Sequence, residues 1–193
     1  MRVVTWNARG TGNSGGGNEW SDLGVWMGEA AVNDYTRLLN ESMSAFAAEH
    51  PGAHDRELFI CGYSAGATFA AAVRPPAGLP QFRPARYILV SYPVEAAPCI
   101  GIFMTGGYFR ALEALVQGGG WEGYPHPEPP VRGVLTLTGG SERGPFYGMW
   151  TGILGSKNSR GVLTQVVVNW ANHVWADKLH CIPEEVDKWL QAE

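Results

Sequence analysis

The sequence predicts an α/β fold, a mostly parallel sheet with helices on both faces. Three observations predict it. Short apolar runs rich in Val, Ile and Leu recur along the chain and are separated by segments of helical periodicity or by Gly and Pro clusters. One run, Leu58-Phe59-Ile60-Cys61, lacks the alternation of a half-exposed strand and reads as a buried strand covered on both faces. It stops at Gly62-Tyr63-Ser64-Ala65-Gly66 and passes into the Ala-rich stretch up to Val73, a sequence of strand, sharp turn and helix.

Taken in order, Arg2 to Trp6 reads as a strand, followed by a long loop from Asn7 to Gly17. From about Glu29 to Glu49, Val32, Tyr35, Leu39, Met43 and Phe46 recur at intervals of three or four, which predicts an amphipathic helix. His50-Pro51-Gly52 ends it, because proline and the residue before it resist helical continuation. The elbow strand and its helix come next, and glycines two residues either side of Ser64 are expected to let strand and helix pack closely. Arg86 to Pro93 is a further buried strand ended by proline. Residues 94–117 hold one helix, with Tyr108, Leu112, Leu115 and Val116 on its face and Gly118-Gly119-Gly120 beyond its end. Gly133 to Thr138 predicts a strand, the glycine cluster around 139–148 is a loop candidate, and a glycine-rich stretch with Phe146, Tyr147 and Trp150 leads through a loop to the last strand. Thr164 to Trp170 is the last strand, and Pro183 opens a final helix carrying Val186, Trp189 and Leu190.

A chain of 193 residues, 45% of them hydrophobic, suffices for one domain with a sizeable core, so residues 1–193 are read as a single unit. The net charge of −4 and the scattered Lys and Arg leave no electrostatic footprint for nucleic acid. Cys61, Cys99 and Cys181 are odd in number and widely spaced, which indicates neither a disulfide framework nor a metal site, and Cys61 is expected to be a buried strand residue. No run approaches the roughly 18 to 20 apolar residues of a membrane span. The start resembles a strand already under way and not a signal peptide, so a cytoplasmic location is expected. Gly10-Thr11-Gly12-Asn13-Ser14-Gly15, with Asp34 downstream, imitates a dinucleotide-binding fingerprint, but Asn7-Ala8-Arg9 separate it from the strand and its third glycine opens no helix.

A nucleophile, an acid and a base occur in the order Ser64, Glu142, His173, each just beyond a predicted strand. In a parallel sheet those ends lie on one edge, so three residues far apart in sequence are expected to converge at one crevice. His173 would take the Ser64 proton, Glu142 would orient the imidazole, and the backbone N–H of Ala65 would donate to a developing oxyanion. His50, His54, His126 and His180 sit among polar or proline-rich neighbours and are expected to face solvent.

At these residues the chain resembles a branch of the α/β-hydrolase superfamily whose signature strand ends in Phe-Asn-Phe-Arg-Gly-x-Gly-x-Ser-x-Gly. The corresponding stretch is Trp6-Asn7-Ala8-Arg9-Gly10-Thr11-Gly12-Asn13-Ser14-Gly15-Gly16. The likeness continues through Cys61 to Gly66, Leu89 to Pro93, and the acid and histidine segments, and so covers essentially the whole chain. It implies an α/β-hydrolase fold and puts Glu142 at the acid position, where Asp is commoner. It also implies a strand ahead of the signature strand, lying between that strand and the elbow strand, whose loop supplies a second oxyanion donor. The chain begins at the signature strand, so an N-terminally shortened sheet is the expectation.

The function expected is that of a serine hydrolase cleaving an ester or related acyl bond of a small molecule through a Ser64 acyl-enzyme, with no metal or organic cofactor. Residues 94–127 are a candidate small cap, where Ile100, Ile102, Phe103, Met104 and Tyr108 suggest an apolar acyl site and are equally compatible with core packing. The alternative is a catalytically impaired hydrolase-like protein serving as a binding module.

Overall fold

The computed structural model describes residues 2–5, 29–76, 79, 81–93, 105–118, 131–144 and 147–192. The signature stretch from Trp6 to Gly16, the decoy fingerprint, Cys99, His126 and most of the candidate cap lie outside these residues. Within them, the three- and four-residue spacing of Val32, Tyr35, Leu39, Met43 and Phe46 gives helix α1 (Glu29–Glu49), ending one residue before His50-Pro51. The elbow segment becomes strand β1 (Phe59–Tyr63) and helix α2 (Ala65–Ala72). Strand β2 (Arg86–Val90), helix α3 (Thr105–Gln117), strand β3 (Gly133–Gly139), a 3-10 turn (Gly140–Glu142), helix α4 (Tyr147–Lys157), strand β4 (Leu163–Val168) and helix α5 (Cys181–Gln191) complete the order.

The four strands form one all-parallel sheet in the order β1-β2-β3-β4, with Ile60 level with Tyr87 and Tyr87 level with Val134. Each strand lies beside its predecessor, and right-handed crossovers then carry every connecting helix to the same face. On that face Ile60, Tyr87, Leu89 and Val134 pack with Ala67, Ala70 and Ala71 of α2, Leu112, Leu115 and Val116 of α3, and Trp150 and Leu154 of α4. Tyr35 and Leu39 of α1 join this side. The Tyr35 hydroxyl donates to the Cys61 carbonyl (3.1 Å), and burial pushes its pKa up to about 12, so it stays a donor throughout the working pH range. The opposite face carries Ile88, Val90, Leu135, Leu137, Val166 and Val168, which α5 covers with Ile182, Val186, Trp189 and Leu190. Helices thus lie on both faces, as the alternation of elements predicts. No helix among the described residues is long and apolar enough to cross a membrane.

Four expectations differ from what is observed. Arg2 to Thr5 belong to no strand, and Val3 and Val4 are exposed. A strand exists only through hydrogen-bonded neighbours, and none of the described strands pairs with this segment. Secondly, β1 is covered on one face only. Phe59 is 39% exposed, Tyr63 47%, and Cys61 is exposed between them, because β1 is the outermost described strand and α5 packs over β3 and β4. Thirdly, the segment from Tyr147 to Lys157 is a helix and not a loop, anchored by Trp150, which stacks on Tyr92 at 5.6 Å between ring centroids. Fourthly, only one of the two elbow glycines is a steric necessity. A Cβ on Gly62 would lie 2.2 Å from the Gly66 carbonyl oxygen and 2.6 Å from the Ala67 Cα, whereas one on Gly66 would meet nothing within 4 Å.

The amino-terminal ends of the first three strands are tied by one carboxylate. Glu57 Oε1 accepts from Arg83 Nη1 (3.0 Å) and Arg132 Nη1 (2.7 Å), while Oε2 accepts from Arg86 Nη1, whose side chain is 6% exposed. Removing the acid takes a charged partner from a buried cation, a larger cost than losing an exposed pair. Glu57→Ala is therefore expected to destabilise by about 2 kcal/mol, lowering the melting temperature by about 4 to 8 °C. Arg83→Ala should lower it by about 2 °C or less. Thermal unfolding of the two variants checks the difference.

Candidate active site

All four described strands run in the same direction, so their carboxyl ends open onto one edge of the sheet. Ser64 follows β1 directly. It is held at φ 55°, ψ −125°, a conformation strained for any residue with a Cβ, and its N–H donates to the Val90 carbonyl (2.9 Å). The sequence folds this way because β1 must reverse into α2 within one residue, and Gly62 lets the helix backbone close against the strand. Ser64 is thereby placed just beyond the carboxyl end of β1, at the turn between strand and helix. Ala65 opens α2, so its N–H belongs to the first helical turn, whose donors have no acceptor within the helix.

Glu142 closes the 3-10 turn after β3, and His173 stands in the loop after β4. The two segments are stitched by a backbone bond from Ser141 N–H to the Ala171 carbonyl (2.9 Å). Their approach is close: a Cβ on Gly139 would fall 2.6 Å from the Ala171 oxygen and 2.8 Å from Glu142 Oε1. Tyr63 holds the histidine loop from the other side. Its hydroxyl donates to the His173 carbonyl (2.5 Å), and its ring lies 5.6 Å from the imidazole between centroids.

The three residues expected to converge do so. Ser64 Oγ is 2.8 Å from His173 Nε2, and His173 Nδ1 is 2.7 Å from Glu142 Oε2. The Glu142 side chain is 12% exposed and that of His173 48%, so the acid is sheltered while the imidazole is half-exposed. Donation from Nδ1–H to the carboxylate leaves the Nε2 lone pair facing the hydroxyl, the tautomer a general base needs. The glutamate folds back within its own turn, where Oε1 accepts from the Gly139 N–H at 2.9 Å.

Sequence reasoning missed two members of this cluster. Ser91 Oγ donates to Glu142 Oε1 (2.6 Å), and Trp175 Nε1–H donates to Ser91 Oγ (2.7 Å). Both side chains are buried, and both residues have positive φ, 50° and 55°. The available signal was a polar residue directly after a buried apolar strand, in Leu89-Val90-Ser91. Trp170, also at positive φ, stands 86% exposed on the same edge. Among the histidines outside the cluster, His50, His54 and His180 are exposed as expected. No group of three or more His, Cys, Asp or Glu side chains that could hold a metal ion occurs among the described residues. No protein-family model, no curated protein and no solved structure matches this chain.

Proposed function

We propose that the chain is a serine hydrolase that cleaves an ester or related acyl bond of a small molecule. One observation carries this reading: Ser64, His173 and Glu142, delivered by three separate strand ends, form a continuous hydrogen-bond chain of 2.8 and 2.7 Å. Such a chain needs a serine in a strained turn, a histidine of one tautomer and a sheltered acid, and core packing alone asks for none of these. The resemblance to α/β-hydrolases supports the same assignment of roles.

In the first half of the reaction, Ser64 Oγ bonds to the acyl carbon while its proton passes to His173 Nε2. The carbonyl oxygen takes up negative charge, and the Ala65 N–H donates to it. Collapse of the adduct breaks the bond to the leaving oxygen, which receives the proton held on Nε2. A water molecule then repeats the sequence on the acyl-enzyme, giving up one proton to His173 and releasing the acid as Ser64 regains its hydrogen. Glu142 stays an acceptor throughout and stabilises the imidazolium formed in each half.

The test is labelling by a fluorophosphonate together with hydrolysis of a short-chain aryl ester, on the chain and on Ser64→Ala. Labelling confined to Ser64 and turnover lost in the variant are expected. A chain that neither labels nor outperforms its Ala variant is no hydrolase, and the binding-module reading then takes its place.

A further inference from the structure

The acid of the triad is held from a second strand end. We propose that Ser91 and Trp175 are positioning residues for Glu142, acting through a hydrogen-bond chain that can run in only one direction. An indole nitrogen is a donor and never an acceptor, so Ser91 Oγ must accept from Trp175 Nε1–H. The single proton of the Ser91 hydroxyl is then left for Glu142 Oε1, 2.6 Å away. With the Gly139 N–H also on Oε1, that oxygen receives two donors, and the carboxylate presents Oε2 to His173 Nδ1. Donors therefore converge on Glu142 from both sides, Trp175 through Ser91 onto Oε1 and Ser64 through His173 onto Oε2.

Two features show why such a device suits this site. A glutamate has one more rotatable bond than an aspartate, so its carboxylate needs anchoring from a point outside its own turn to hold the orientation His173 requires. Ser91 and Trp175 are also both kept in the left-handed region with buried side chains. Their backbone geometry favours glycine, and a glycine at 91 would carry no hydroxyl to link β2 to the acid. The position thus combines a backbone suited to glycine with a side chain fully used in hydrogen bonding.

The kinetic half of this inference rests on the hydrolase reading, and its spectroscopic half does not. Ser91→Gly removes the hydroxyl while relieving the backbone, and that relief offsets part of what the buried Trp175 N–H loses, so the variant should still fold, as a thermal melt would show. Trp175→Phe keeps most of the ring and removes the N–H. In protein labelled with 15N-histidine, the parent should show a low-field proton on His173 Nδ1, which in Ser91→Gly moves upfield and broadens by exchange. On an aryl ester, kcat should fall about 10- to 100-fold in Ser91→Gly with KM within about twofold. Trp175→Phe should show a smaller change of the same kind, and the double variant should lose little more than Ser91→Gly alone. An unchanged Nδ1 resonance with kcat kept within about twofold overturns the proposal. If the parent hydrolyses nothing, the hydrolase reading fails separately, and the resonance alone decides the positioning role: its loss in Ser91→Gly supports it, its persistence overturns it.

Discussion

Replacing His173 by alanine is expected to lower kcat on an acyl ester by about 10,000-fold or more while leaving KM within a few-fold. The imidazole stands 2.8 Å from Ser64 Oγ and is the only described side chain that bonds both Ser64 and Glu142. Without it the serine hydroxyl has no group to take its proton, and the leaving oxygen has none to supply one. Residues acting as a unit lose their effect together, so Ser64→Ala combined with His173→Ala should be scarcely slower than either alone. Glu142→Gln should cost somewhat less, because an amide at that position can still contact the ring but favours the wrong tautomer. Single-turnover and steady-state kinetics on the four variants check both the size and the non-additivity. Independent, multiplying losses would show that the three residues are neighbours without being a working triad.

The second large effect is on the fold. Gly62→Ala would place a methyl group against the backbone of α2, with 2.2 Å to the Gly66 oxygen and 2.6 Å to the Ala67 Cα. Backbone atoms of a helix cannot swing aside as a flexible side chain can, so α2 must lift from β1 or the strand must bend. A cost of about 3 kcal/mol or more is expected, lowering the melting temperature by about 6 to 12 °C. Gly66→Ala has the opposite sign. Its methyl would meet nothing within 4 Å, and alanine in a helix gains roughly 0.5 to 1 kcal/mol over glycine. Calorimetry on the pair separates the two glycines of one motif, and equal destabilisation by both would contradict the packing described for the elbow.

That contrast shows what could be read from the residues. The Gly-x-Ser-x-Gly spacing announces the turn, yet only the distance between strand and helix tells which glycine is indispensable. Helix α1 was legible along its face and at its carboxyl end, since its apolar residues keep strict period and His50-Pro51 closes it. Helix α4 was not, because Gly148, Gly152 and Gly155 weaken its local preference and burial of Trp150 and Leu154 overrides that weakness. The run Phe59 to Tyr63 read as covered on both faces. The sequence of one strand does not say whether it lies at the centre or edge of its sheet, and at this edge Phe59, Cys61 and Tyr63 are exposed. Ser64, Glu142 and His173 could be anticipated because strand ends in a parallel sheet share an edge. Ser91 and Trp175 depend on the register of β2 with β3 and on the course of the loop after β4, and neither is written in their own neighbourhoods.

The carboxyl edge also gathers four non-glycine residues with left-handed backbones, Ser64, Ser91, Trp170 and Trp175. Each forgoes roughly 1 to 2 kcal/mol relative to an unstrained conformation. Glycine would recover much of that at any of them, and at 64 or 91 the same exchange deletes a hydroxyl of the hydrogen-bond chain. On the hydrolase reading, selection for heat resistance and selection for turnover therefore pull the Ser64 codon in opposite directions, whereas at 91 the buried hydrogen bonds of the hydroxyl offset the backbone cost. A serine retained at 64, against the easier backbone of glycine, is the mark a lineage would carry if turnover were what it is selected for.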